Sequence, residues 1–235
     1  MALSLAGLPT VATTALATAL VPDLAGAKVH NDKDMVKKRV GWAIKLTLAL
    51  AIPAAVGLYV IAEDICQVLF DTWAAAIPLK WVAFGTVGLC LMETNSALLH
   101  ALDQGRWAAA AIFVGGVVNA VVDYYLCGFM VMNIRGAALG TGLGFTVAAC
   151  LTLIPLKKMV PGFWQWGMLL LPLIASLLMA PAVRWVQMYT LNQSWSRGFA
   201  LLTAIGTGML VYSGVVWSLN MIDARLFRVP PHRFL

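Results

Sequence analysis

The chain alternates long apolar segments with shorter polar connections. Seven segments are apolar on all sides and about as long as the roughly 20 residues that a helix needs to cross a membrane. They are residues 1–22, 41–62, 81–102, 107–132, 136–156, 163–183 and 198–219. Strands of a membrane barrel would alternate apolar and polar residues, and these segments do not. The pattern therefore predicts an all-α, polytopic membrane bundle of about seven transmembrane helices.

The polar connections complete this prediction. Two of them, 23–40 and 63–80, are predicted as longer loops, and the others are short. The bundle is expected to cover residues 1–219, and the polar tail 220–235 is expected outside the bilayer. No Lys or Arg precedes the first apolar segment, which is also longer than the apolar core of a signal peptide. We therefore interpret it as a spanning helix.

Composition excludes a soluble fold. Of the 235 residues, 61% are hydrophobic and only 11% are charged, against about 45–50% and about 25% in a soluble domain. The net charge is +6. Because the basic residues lie in short runs between apolar segments, they favour a membrane surface as partner rather than nucleic acid. The four cysteines have no metal-binding or disulfide spacing.

Basic residues predict the orientation, because cytoplasmic loops carry more Lys and Arg. One set of connections, together with the tail, holds eleven of them: Lys28, Lys33, Lys37, Lys38, Arg39, Arg106, Lys157, Lys158, Arg225, Arg228 and Arg233. The opposite set holds four: Lys80, Arg135, Arg184 and Arg197. The C-terminus is therefore expected in the cytoplasm and the N-terminus outside. An outside N-terminus on an uncharged first helix suggests that an earlier part of the polypeptide is missing.

Several polar side chains fall inside the apolar segments, where a charge costs about 2.5–3.5 kcal/mol on insertion scales. Glu93 lies in the middle of the third segment, and Asn119 and Asp123 lie one turn apart on the fourth. Lys45 is one turn inside the second segment, where snorkelling to the headgroups is the favoured interpretation. Helical spacing places further polar residues on or near the face of Glu93: Thr86, Ser96 and His100.

The third and fourth segments are joined by residues 103–106 alone, so they should be antiparallel neighbours. Glu93 and Asn119 are about equally far from this turn and could meet. The functional interpretation is a polar stripe lining an aqueous cavity, where Glu93 and Asp123 bind a cation, a proton or a substrate group. The structural alternative is a hydrogen bond buried between packed helices.

Gly136, Gly140 and Gly144 repeat every fourth residue on the fifth segment, a spacing that lets helices approach closely. The threonines of the first segment either bond to carbonyls of their own helix, which is the usual case, or line a path: Thr10, Thr13, Thr14 and Thr18. No nucleophile–base, Walker or zinc-protease motif is present, and the three histidines are far apart. The sequence therefore predicts neither an enzyme nor a cofactor or metal site.

Four stretches resemble one transporter family. They are the Leu-Pro-to-Val-Pro run at 8–22 followed by a basic connection, Ala-Ile-Pro-Ala-Ala-Val-Gly-Leu at 51–58, Val-Leu-Phe at 68–70, and Gly-Ala-Ala-Leu-Gly-Thr at 136–141. They resemble the stage V sporulation protein B and polysaccharide (lipid II) flippase branch of the multidrug/oligosaccharidyl-lipid/polysaccharide exporter superfamily, which is MATE-like. The resemblance covers about residues 3–160.

This resemblance implies a flippase of two related lobes around a central cavity, of which the chain would be the C-terminal lobe. Its substrate would be an undecaprenyl-linked oligosaccharide or lipid II, moved across the bacterial inner (plasma) membrane for polysaccharide or peptidoglycan synthesis. Membrane lipid would surround it, and the missing N-terminal lobe or a partner half would complete it. Coupling to a monovalent cation or proton is a further expectation.

The resemblance also has departures. The inward polar set is acidic or neutral, whereas many of the basic residues that hold the pyrophosphate in lipid II flippases belong to the first lobe. The pyrophosphate site therefore cannot be assigned. Two other functions stay open at this point: a cation-coupled multidrug antiporter of the same superfamily, and a non-transporting membrane scaffold or degenerate half-transporter.

Overall fold

The computed structural model describes residues 2–128, 133–192 and 196–218. This part of the chain is helical, with short turns between the helices. The helices are α1 (Ala2–Ala6), α2 (Leu8–Val29), α3 (Lys33–Val60), α4 (Ala62–Phe70), α5 (Ala76–Ala101), α6 (Gly105–Gly128), α7 (Asn133–Met159), α8 (Gly167–Asn192) and α9 (Arg197–Ser218).

Seven spans are long and apolar enough to cross a membrane. They are Ser4–Val29, Lys33–Val60, Ala76–Ala101, Gly105–Gly128, Arg135–Met159, Gly167–Thr190 and Arg197–Ser218. The prediction of an all-α membrane bundle of about seven spanning helices is therefore confirmed. The tail 220–235 lies outside the described residues.

The connection predicted as a loop over 23–40 is mostly helical. Helix α2 continues to Val29, and α3 begins at Lys33, so only a tight turn remains. Asn31 takes a left-handed conformation with φ 54°, and the Asp32 carboxylate accepts a hydrogen bond from the main-chain N–H of Met35 at 2.9 Å, which caps α3. The hydropathy pattern marks only the lipid-embedded part of a helix, so the charged turns beyond it were not recognised.

The connection predicted over 63–80 also contains a helix. Helix α4 buries Ala62, Ile65 and Cys66 against the bundle. It ends at Phe70, and the residue after it, Asp71, has φ 49°. Its apolar positions repeat at helical spacing, but it is too short to span a membrane. Helix α4 lies next to α5 and α9.

Helix α5 lies at the centre of the bundle. It packs against α2, α3 and α7, and its apolar window is the most buried of the seven. Helix α7 packs extensively against both α5 and α6, whereas α8 and α9 form a hairpin whose α8 lies against α3. A core cluster that includes Ile44, Leu48, Leu98 and Leu156 joins α3, α5 and α7.

Candidate functional site

Three consecutive residues of α5 bond to three different helices. Successive positions on a helix point about 100° apart, so Glu93, Thr94 and Asn95 face three directions. The Oγ1 atoms of Thr94 and Thr47 of α3 are 2.9 Å apart, and both side chains are buried. Asn95 Nδ2 donates to Thr152 Oγ1 of α7 at 3.2 Å. In its C-terminal half, therefore, α5 is held to α3 and α7 by buried polar contacts.

Glu93 faces the third neighbour, α2. Thr14 Oγ1 donates to Glu93 Oε2 at 3.1 Å and also lies against the carbonyl oxygen of Thr10. Unlike Thr94 and Asn95, Glu93 is only half-buried. One turn further along α5, Ser96 is half-buried and donates to the carbonyl of Met92 at 2.7 Å.

On α2, Thr18 lies one turn beyond Thr14 and is exposed. We call these four residues, Thr14, Thr18, Glu93 and Ser96, the Glu93 face. It carries an acid and three hydroxyl groups on the accessible side of two spanning helices. Sugar hydroxyls, water and cations are the groups that such oxygen atoms can bind.

Asn119 and Asp123 lie in a different interface, between α6 and α7. A Cβ atom placed on Gly140 would overlap Asp123 Oδ1, and one placed on Gly144 would lie 2.8 Å from the Cβ of Asn119. Because these two glycines carry no side chain, the two polar groups of α6 have room against α7. Asn119 Oδ1 and Asp123 Oδ1 are buried without a hydrogen-bond donor among the described residues.

The expected meeting of Glu93 and Asn119 does not occur in the structure. Glu93 points to α2, whereas Asn119 and Asp123 point to α7. The short turn does join α5 and α6, but both helices pack mainly against α7. Small residues let α7 lie close to both helices. On one side Gly85 of α5 packs against the main chain of α7 at Gly142, and on the other side the residues of α7 that face α6 are also small.

The remaining candidates from the sequence occupy separate places. Thr86 is buried and donates to the carbonyl of Val82 at 3.3 Å. Lys45 is half-buried on α3, and His100 is exposed beside Gly105 at the α5–α6 turn. A Cβ on Gly136 would lie 2.8 Å from the Cβ of Leu126, so this glycine faces α6, as Gly140 and Gly144 do.

Sequence reasoning did not single out the buried contacts of Thr47, Thr94, Asn95 and Thr152. Threonine in spanning helices usually bonds to its own helix, as Thr152 also does with the carbonyls of Ala148 and Ala149. Asn95 could have been found, because an amide next to Glu93 in an apolar segment needs a partner. Which residue is that partner depends on tertiary packing, so no local sequence pattern indicates it.

A charge cluster lies at the end of the bundle next to α4. Lys80 Nζ donates to Glu63 Oε1 at 2.5 Å, and this hydrogen bond lowers the pKa of Glu63 from its ordinary value. Burial raises the pKa of Asp64, an effect opposed by Arg184 and Arg197. The guanidinium of Arg197 lies 5.6 Å from the ring centroid of Trp73. The acids of α4 thus neutralise basic residues of α5, α8 and α9.

Comparison with known proteins identifies one matching family and related proteins. The family described as lipid II flippase MurJ matches residues 2–206. Stage V sporulation protein B of Bacillus subtilis is 26% identical over 160 residues, which cover 68% of this chain and 31% of that protein. The probable low-salt glycan biosynthesis flippase Agl15 of Haloferax volcanii is 23% identical over 218 residues, covering 91% of this chain and 45% of that protein.

A solved structure supports the same fold. Lipid II flippase MurJ in an inward closed conformation superposes with a TM-score of 0.68 at 19% identity, covering 95% of this chain and 45% of that one. The chain spans less than half the length of each of these three proteins. Because the family match covers most of the chain, its membership is established, and the chain belongs to the lipid II flippase MurJ family.

Proposed function

We propose that this chain takes part in flipping a lipid-linked oligosaccharide, of the lipid II class, across the membrane. The polar headgroup would pass along the Glu93 face, while the polyprenyl chain stays in lipid. The proposal includes the bacterial plasma membrane as location, the basic connections in the cytoplasm, and a second lobe or partner half as the opposite wall of the cavity. The names of the flippases that the chain resembles support the substrate class.

One observation carries the proposal: the Glu93 carboxyl is only half-buried although it lies well inside the apolar span Ala76–Ala101. A charge at that depth is too costly to leave facing hydrocarbon. Thr14 supplies one hydrogen bond to Oε2, and a carboxylate can accept several more. The accessible side of Glu93 therefore suits water, a cation or sugar hydroxyls.

In mechanism, two states of the cavity would alternate, each open to one side of the membrane. Glu93 would accept hydrogen bonds from the headgroup or hold a cation or proton during the exchange. The bonds of Thr94 to α3 and of Asn95 to α7 would keep the Glu93 carboxyl in place while the lobes move. Such fixed positioning is what makes a transport site selective.

Coupling to a monovalent cation or proton would use Asn119 and Asp123. Their buried Oδ1 atoms lie one helical turn apart and have no donor among the described residues. Two such acceptors suit a small cation, and a protonated Asp123 could instead donate a hydrogen bond. Glu93 and these two residues would then act in different interfaces of the same bundle.

The test is the rate of headgroup translocation in cells that make the native protein, with Glu93→Gln introduced. A membrane-impermeant reagent added outside the cells would measure the externally exposed lipid-linked saccharide. We expect the rate to fall about tenfold or more, because a hydrogen bond to a charged group is worth about 1.5–3 kcal/mol.

Glu63→Gln is the matched control, since Glu63 is an acid in α4, outside the candidate spans. It should leave the translocation rate unchanged. A normal translocation rate in cells that make the Glu93→Gln variant would contradict the proposed passage along the Glu93 face. Membrane abundance of both variants, measured by immunoblot, separates loss of transport from loss of protein.

A further inference from the structure

A cavity of about 230 Å³ lies at the end of the bundle where the α5–α6 turn meets the last turns of α7. Its lining comes from two parts of the chain that are far apart in sequence: the α5–α6 turn with the start of α6, and the end of α7. The lining residues are Gln104, Trp107, Ile154, Pro155, Lys158 and Met159. None of them belongs to the Glu93 face or to the Asn119–Asp123 pair.

The cavity combines an apolar wall with hydrogen-bond donors. Ile154, Pro155 and Met159 supply the apolar wall, whereas the Lys158 ammonium and the Trp107 indole N–H are donors. The Trp107 and Ile154 side chains are 53% and 50% exposed. The cavity thus has a mainly apolar lining that includes one lysine, on an accessible part of the bundle.

The depth of the cavity matches the headgroup region of a bilayer. Trp107 lies in the first turn of the span Gly105–Gly128, and Met159 is the last residue of the span Arg135–Met159. Tryptophan and lysine at the ends of spanning helices mark the membrane–water interface. A ligand seated there would meet lipid chains on one side and water on the other.

The local charge is positive. Lys158 lines the cavity, and Arg106, which precedes the lining residue Trp107 in sequence, is exposed. Two nearby lysines are already engaged: Lys157 Nζ lies 5.0 Å from the Trp164 ring centroid, and Lys28 Nζ donates to the carbonyl of Leu102 at 2.7 Å. Asp103 of the turn is exposed and is the acid next to the cavity in sequence.

We propose that this cavity binds an anionic phospholipid. The phosphate would accept hydrogen bonds from Lys158 and Trp107, and the start of an acyl chain would lie against Ile154, Pro155 and Met159. Basic pockets between spanning helices at the interface are suited to anionic headgroups, and the apolar wall distinguishes a lipid from a free phosphate. The inference is independent of the proposed transport function.

The experiment titrates the full chain, in detergent, with phosphatidylglycerol and with phosphatidylcholine of the same acyl chains. Native mass spectrometry counts the bound lipids. We expect phosphatidylglycerol to be retained about fivefold more strongly, since one lysine near an anionic headgroup contributes about that factor. Lys158→Gln should abolish this preference.

Lys157→Gln is the matched control, because it removes the same charge one residue away from the cavity lining. It should keep the preference for phosphatidylglycerol. Equal retention of the two lipids by the unmodified chain would overturn the proposal. Equal loss of preference in both variants would overturn it as well, because a diffuse surface charge would then explain the binding. Both lysines are exposed, so we expect both variants to fold, and thermal unfolding checks this.

Discussion

Tyr212 of α9 donates its hydroxyl proton to the main-chain carbonyl of Ala49 in α3, at 2.7 Å. In a regular helix this carbonyl would accept from the N–H four residues later. That residue is Pro53, which has no N–H. The tyrosine therefore satisfies a carbonyl that the proline leaves without a donor, and it ties α9 to α3 at that point.

Tyr212→Phe should lower the free energy of unfolding by about 1 kcal/mol, because it leaves the Ala49 carbonyl without a donor. In a Pro53→Ala background the same change should have almost no effect, since an alanine N–H restores the helical bond. Thermal or denaturant unfolding in micelles measures the cycle. An equal effect in both backgrounds would show that the hydroxyl acts in some other way.

Gly144→Ala should destabilise the protein by about 1–3 kcal/mol through overpacking. The new Cβ would lie 2.8 Å from the Asn119 Cβ and 2.8 Å from the Gly115 carbonyl oxygen. Gly116→Ala is the control, because a Cβ there meets nothing within 4 Å, and alanine favours a helix by up to about 1 kcal/mol. Similar unfolding free energies for the two variants would argue against close α6–α7 packing.

The buried Thr47–Thr94 contact should give a measurable coupling between α3 and α5. A double-mutant cycle with Thr47→Val and Thr94→Val should yield about 0.6 kcal/mol, the mean for hydrogen bonds between membrane helices. A cycle with Thr47→Val and Thr141→Val is the control. It should yield no coupling free energy, because Thr141 bonds to the carbonyl of Ala137 in its own helix at 2.9 Å. Additive effects in the Thr47–Thr94 cycle would contradict the assignment.

Glu63 should make stability depend on pH and salt. Its pKa is lowered from the ordinary 4.5 by the bond to Lys80. The folded state therefore gains stability above that value, and the gain is lost as the pH falls through the lower folded pKa. The two side chains are 43% and 31% exposed, so the gain should be only about 0.2–1 kcal/mol.

Melting temperatures of the unmodified chain and Glu63→Gln measure this gain. The difference should be present at neutral pH and low salt, shrink in high salt because exposed charges are screened, and vanish in strong acid. A difference that is the same under all three conditions would show that the glutamine changes packing rather than charge.

The helices were predictable, and their ends were not. The apolar segments indicate where helices cross lipid, so all seven were found. The extension of α3 back to Lys33 and the short helix α4 depend on capping by Asp32 and on burial of Ile65 and Cys66 against the bundle. Neither the capping nor the burial can be recognised from a hydropathy pattern.

The candidate site was only partly predictable. Glu93 and Asp123 could be recognised because a charge inside an apolar segment needs a reason. Their neighbours could not, since Glu93 bonds to Thr14, which lies 79 positions earlier. The short α5–α6 turn indicated adjacent helices, but the glycines of α7 let that helix pack against both and separate the two acids.

If the headgroup passes along the Glu93 face, position 93 should meet water inside the membrane. In a background with the exposed cysteines Cys127 and Cys150 replaced by serine, Glu93→Cys would be treated with a charged, membrane-impermeant thiol reagent. Phe113→Cys is the control for a lipid-facing position, since Phe113 is 73% exposed on α6. Labelling at position 93 well above that at 113 is the predicted result. Equal, negligible labelling at both positions would contradict a polar path along the Glu93 face.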